Sequence, residues 1–130
     1  MIEELKRLLS QFSLDTSEEM FKEVIEFLPA FLEKNEMLYV AGTKESDGFA
    51  FVQVENGDKN YFLCFTDPAE SDTDVLGFEA GKLFKAVEED VEAEGLIINP
   101  HSDCFVVDSK LLSLLLDLTL YRTTPPAMMN

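Results

Sequence analysis

An α+β fold ordered helix-β-β-β-helix-β-β-helix, with a mostly antiparallel five-stranded sheet packed against helices, is predicted by three observations. Apolar residues at helical spacing open the chain, and a set of short strands with a hairpin signal follows. The stretch Gly95–Leu116 then reads as strand, turn, strand and capped helix. Strands in hairpin order with segregated helices argue for α+β rather than a doubly wound parallel sheet. The 130 residues fit one domain over residues 1–122, with 123–130 as a C-terminal tail.

Ile2, Leu5, Leu8, Leu9 and Phe12 recur at helical spacing and predict a short amphipathic opening helix. Thr16 with Glu19 three residues on is a capping-box signature for a second one, with Met20, Phe21, Val24, Ile25, Phe27 and Leu28 inward. Pro29 kinks or ends it, although Phe31 and Leu32 can add one more turn.

Met37–Ala41, Phe49–Glu55 and Tyr61–Thr66 are the first three strands, and Asn56-Gly57-Asp58-Lys59 is a hairpin signal between the last two. Tyr61–Phe65 is apolar on both faces, which makes the third strand central. Gln53 shares a face with Phe49 and Phe51, so that face is partly exposed. Asp67–Asp74 reads as a long acidic loop, followed by a helix with Leu83, Phe84, Val87 and Val91 inward and Gly95 as C-cap.

Leu96, Ile97 and Ile98 form a short continuous apolar run, as in a strand covered on both faces. Pro100 biases Asn99 to extended geometry at the strand end, and Asn-Pro opens a type I turn completed by Ser102 and Asp103. Loss of an Asn99 turn hydrogen bond should cost about 1 kcal/mol. Cys104–Val107 is the return strand, and Asp108 or Ser109 caps the last helix. Seven of the ten positions from Leu111 to Leu120 are leucine. Leu112, Leu115 and Leu116 fall on one side of that helix. Leu111, Leu114 and Leu118 fall on another, a candidate surface for a homodimer.

Gly95-Leu-Ile-Ile-Asn-Pro100, followed by a polar loop, a strand and a leucine-rich helix, resembles the N-terminal domain of the enhanced serine sensitivity protein B (SseB) family. Leu38-Tyr39-Val40 and Phe65-Thr66-Asp67 sit where that family's pattern would put them, and the resemblance covers roughly residues 17 to 118. It implies a bacterial protein with this fold, no settled enzymatic activity and no agreed catalytic residues. Gly95, Asn99 and Pro100 carry it as a structural turn. Longer members have a second domain, which is not expected within these 130 residues.

Charge narrows the partners. With 26 acidic residues against 10 basic, the net charge is −16. No basic surface is available to displace counterions from nucleic acid, so the favoured partner is a basic protein. Half of the net charge lies between Asp67 and Glu94, where ten acids meet only Lys82 and Lys85. Glu88, Glu89, Asp90, Glu92 and Glu94 crowd the C-terminal end of the predicted helix, where the macrodipole is already negative. Asp67, Glu70, Asp72, Asp74, Glu88, Glu89, Asp90 and Glu92 are therefore the candidate partner-binding surface. The opening Met-Ile-Glu-Glu-Leu-Lys-Arg lacks a signal peptide's apolar core, and no apolar run is long enough to span a membrane. A membrane-surface role for the opening helix is disfavoured because acid outweighs Lys6 and Arg7.

Asp72, Asp74 and Gly77 echo the start of a calcium loop, but Leu76 and Leu83 occupy the fifth and twelfth positions. His101 precedes Cys104 by three, yet both Cys64 and Cys104 sit in apolar strands, as buried thiols of a reducing compartment do. No cofactor, metal or catalytic group is predicted. The expectation is a cytoplasmic, non-catalytic interaction module, of regulatory or immunity type. A class I secretion-chaperone-like binding protein is the alternative within that class. A metal- or thiol-dependent enzyme built on the acidic loop or Cys104 is the alternative of another class.

Overall fold

The opening of the chain folds as two helices because its apolar residues repeat on one side of each. α1 (Ile2–Leu14) buries Leu5, Leu8 and Leu9; α2 (Glu18–Glu33) buries Met20, Val24, Leu28, Phe31 and Leu32. Ser17 rather than Thr16 caps α2: its Oγ accepts the Met20 N–H at 3.3 Å, and its own N–H donates to Asp15 Oδ1 at 3.1 Å. Pro29 does not end the helix, which runs on to Glu33. An interior proline costs about 3 kcal/mol. Full burial of Phe31 and Leu32, worth about 1.5–3 kcal/mol each, offsets it.

The computed structural model describes residues 1–34, 36–56 and 59–119, apart from the side chains of 49, 56 and 59, and contains four helices and seven strands among them. The turn residues Gly57 and Asp58, Leu120 and the tail 123–130 lie outside the described residues. β1 (Met37–Glu45) pairs antiparallel with β2 (Gly48–Phe51), β4 (Lys59–Phe65) and β5 (Asp74–Glu79). β3 (Gln53–Asn56) pairs antiparallel with β4, and β6 (Ala93–Ile98) with β7 (Phe105–Asp108). Between β5 and β6 lies α3 (Ala80–Glu89), and α4 (Ser109–Asp117) follows β7.

The α+β class holds and most strand pairings are antiparallel as expected, but the sheet has seven strands rather than five and is mixed, because β4 and β6 run parallel. The expected single second strand is interrupted at Val52, where the chain changes partner from β1 to β4. It is thereby wedged between two strands that share only the Tyr39–Phe65 and Val40–Cys64 pairings. β5 occupies residues expected to join the acidic loop to a helix, and Val75, Leu76 and Phe78 carry its strand propensity. β4 and β6 are parallel because the chain is carried back over the sheet by α3 before β6 begins. β4 has partners on both edges, as its all-apolar pattern predicts.

Leu38, Val40, Cys64, Leu96, Ile98, Phe105 and Val107 point to one face and form a common core with residues of all four helices. Phe65 points to the other face, outside that core, and is still buried. There the His101 ring lies 6.0 Å from it, and Asp72 Oδ2 lies 3.6 Å from His101 Nε2. The turn between β6 and β7 thus contributes, through His101, cover that the helices do not supply. Leu63 and Ile97 on this face are half-buried, so only part of the strand pair is covered on both sides.

Gly95 is not a helix C-cap. It lies inside β6 opposite Asp108, where an added Cβ would sit 1.9 Å from the Val107 carbonyl oxygen. Asn99 is not extended either, with φ at 52°. Asparagine is among the few residues that tolerate the left-handed region, and here its side chain is tied down inside the protein. Asn99 Oδ1 accepts the Thr66 N–H at 3.0 Å, Nδ2 donates to Thr66 Oγ1 at 3.1 Å, and its N–H donates to the Cys64 carbonyl at 2.8 Å. The expected turn is present, closed by Ser102 N–H on the Asn99 carbonyl at 3.2 Å. Asp108, not Ser109, caps α4 by accepting the Leu111 N–H at 2.9 Å.

Candidate functional site

α3 ends at Glu89, earlier than the acidic run suggested. Asp90 is the C-cap, its Oδ1 accepts the Glu92 N–H at 2.9 Å, and Glu94 belongs to β6. Val91, expected to face inward, is 98% exposed because it sits in the turn beyond the helix. Glu89 and Glu92 are exposed, while Glu88 and Asp90 are half-buried. No basic residue occupies the last turn of α3, so its macrodipole and carboxylates add in sign.

The structure divides the candidate acidic surface in two. Asp67 accepts the Ala69 N–H at 2.9 Å, Glu70 accepts the Ser102 hydroxyl at 2.7 Å, and Asp74 accepts the Lys44 N–H at 3.2 Å. Together with Asp72 beside His101, these acids organise the β4–β5 connection and its neighbours. Glu88, Glu89, Asp90 and Glu92 form a separate group at the far end of α3. Asp74 and Gly77 lie in β5, so they cannot wrap an ion as loop residues would. Among the described residues no group of three or more potential ligands gathers for a metal.

Beside the α3 group opens a pocket of about 280 Å³. Val40, Phe51, Phe62 and Phe78 line it from the sheet; Leu83, Ala86, Val87 and Asp90 line it from α3 and its cap. The spacing of the α3 residues places them along one face of the helix. Phe51 stands 6.0 Å from Phe62, edge to face, and 5.8 Å from Phe78. It is 41% exposed, in keeping with the partial exposure expected for this face of the second strand. The pocket itself was not anticipated, because its three phenylalanines come from three strands.

Leu112, Leu115 and Leu116 are buried, Leu111 packs against the core, and Leu114 and Leu118 are 48% and 56% exposed. The second leucine row therefore presents two residues to solvent rather than three. Cys64 is buried as expected, but Cys104 is exposed, because the chain enters β7 only at Phe105. Burial pushes the Cys64 thiol far up, and partial loss of water pushes the Cys104 thiol up as well. A thiol reagent should consume one equivalent in native protein and a second only on unfolding; two at once would contradict this burial. A raised thiol pKa stabilises the fold fully below the ordinary value of 9.0, and this contribution is lost as pH rises above it. Alkaline denaturation should accordingly weaken in Cys64→Ala, even though that variant is less stable at pH 7.

Among the described residues no helix is long and apolar enough to cross a membrane. No family model matches the chain, and neither a curated protein nor a solved structure is significantly similar to it.

Proposed function

We propose that this chain is a small, non-catalytic protein-interaction module of the cytoplasm, resembling the SseB N-terminal domain, that binds a basic partner protein. The observation that carries this reading is the carboxylate group at the end of α3, set beside an apolar pocket and opposed to the helix dipole. Evolution tolerates such local cost most readily where a partner relieves it. Both thiols are shifted up, the opposite direction from a nucleophilic cysteine, which weighs against a thiol-dependent enzyme.

Glu88→Gln, Glu89→Gln and Asp90→Asn combined should keep the fold and stabilise it by about 1 kcal/mol at low salt, since each charge opposes the macrodipole. Asparagine is chosen at 90 because its amide oxygen can still accept the Glu92 N–H. Partner capture from the native host's lysate should weaken in this variant and in wild type as salt rises. Capture indifferent to both changes would move the interface away from this face.

Self-association belongs to the same proposal. Leu114 on α4 and Leu118 at its C-cap, one turn apart, are the residues through which a second copy would pack. Sedimentation equilibrium at micromolar concentration should show a dimer that Leu114→Glu with Leu118→Glu dissociates; a monomer in wild type would reject it.

A further inference from the structure

Resting on the reading above, we infer that the pocket at Phe51 receives an aromatic or long aliphatic side chain from a basic peptide segment, with Asp90 pairing a lysine or arginine beside that anchor. Val40 forms a floor that is 1% exposed, while Phe51 at the mouth is 41% exposed. A large aromatic ring left open over an apolar cavity gains by being covered, at roughly 25 cal/mol per Å². Small-molecule pockets commonly span about 300–1,000 Å³. At about 280 Å³ this one is suited to one or two side chains.

The charge around the mouth selects the occupant. Asp90 lines the pocket, and Glu89 and Glu92 flank it in sequence on exposed positions. The Oδ1 contact to the Glu92 N–H holds the Asp90 carboxylate in place before anything binds, which reduces the ordering cost of pairing. An acidic segment would meet both this rim and a chain of net charge −16. Apolar anchor and flanking cation together describe a basic, amphipathic peptide.

The chain has no tryptophan, so the indole of an added peptide reports alone. Lys-Lys-Trp-Leu-Lys-Lys, titrated at low salt, should bind saturably with a blue-shifted emission. Ala86→Phe fills the pocket from an exposed helix position and should weaken binding at least about tenfold while removing the blue shift. Asp90→Asn should weaken binding about threefold, flatten its salt dependence and leave the blue shift. Thermal melts of both variants would confirm that the fold is retained. Equal binding of Lys-Lys-Ala-Ala-Lys-Lys, read by its displacement of the tryptophan peptide, would overturn the pocket inference and leave the acidic-surface reading standing. Equal binding of Ser-Ser-Trp-Leu-Ser-Ser would overturn the charge selection and make this a general apolar site. No binding of any of these peptides would remove both readings.

Discussion

Gly95→Ala should cost at least about 3 kcal/mol, a large share of the roughly 5–15 kcal/mol by which a domain of ordinary stability is held folded. The added methyl would lie 1.9 Å from the Val107 carbonyl oxygen, 2.9 Å from the Val107 carbonyl carbon and 3.0 Å from Asp108 Cα. All three atoms are backbone, so relief requires β7 to move as a whole. Movement would disturb the Gly95–Asp108 and Leu96–Val107 pairings and the Asp108 cap on α4 at the same time. Urea denaturation measures the effect through the midpoint. A cost below about 1 kcal/mol would mean that β7 does not approach β6 as closely as described.

Asn99→Ala is the second large effect, at about 2–5 kcal/mol, well above the single turn bond suggested by sequence. Two causes add. Removing the amide leaves the buried Thr66 N–H and hydroxyl without their partner, at about 1–3 kcal/mol for such unsatisfied groups. Alanine must also adopt a φ near 52°, which costs a further 1–2 kcal/mol or so. Asn99→Gly separates the causes: it loses the amide but not the backbone conformation, and should be milder by about 1–2 kcal/mol. Equal melting temperatures for the two variants would show that backbone strain is absent.

These two residues illustrate what could be read in advance. Gly95 and Asn99 stood out as special positions, yet their roles came from contacts with β7 and Thr66, which lie far away along the chain. Local patterns were legible: the central strand β4, the hairpin pairings, and the leucine helix with its Asp108 cap. β5 was hidden because acidic residues run into a short apolar stretch interrupted by Gly77, and strand pairing with β1 supplies what propensity does not. Parallel pairing of β4 with β6 was equally illegible, since the crossover through β5 and α3 sets it. Charge was read correctly as a density, but its division into connection acids and the α3 group depends on hydrogen bonds across the fold. Phe51 with Gln53 hinted at an open face; only β4, β5 and α3 together turn that face into a pocket.

The most direct test of the account is an amide chemical-shift map of the isotopically labelled chain titrated with the Lys-Lys-Trp-Leu-Lys-Lys peptide. Shifts concentrated at Leu83–Glu92 and around Phe51, Phe62 and Phe78, and fading as salt rises, are the predicted result. Shifts confined to the Asp67–Asp74 connection or to Leu114 and Leu118, with α3 unmoved, would contradict it.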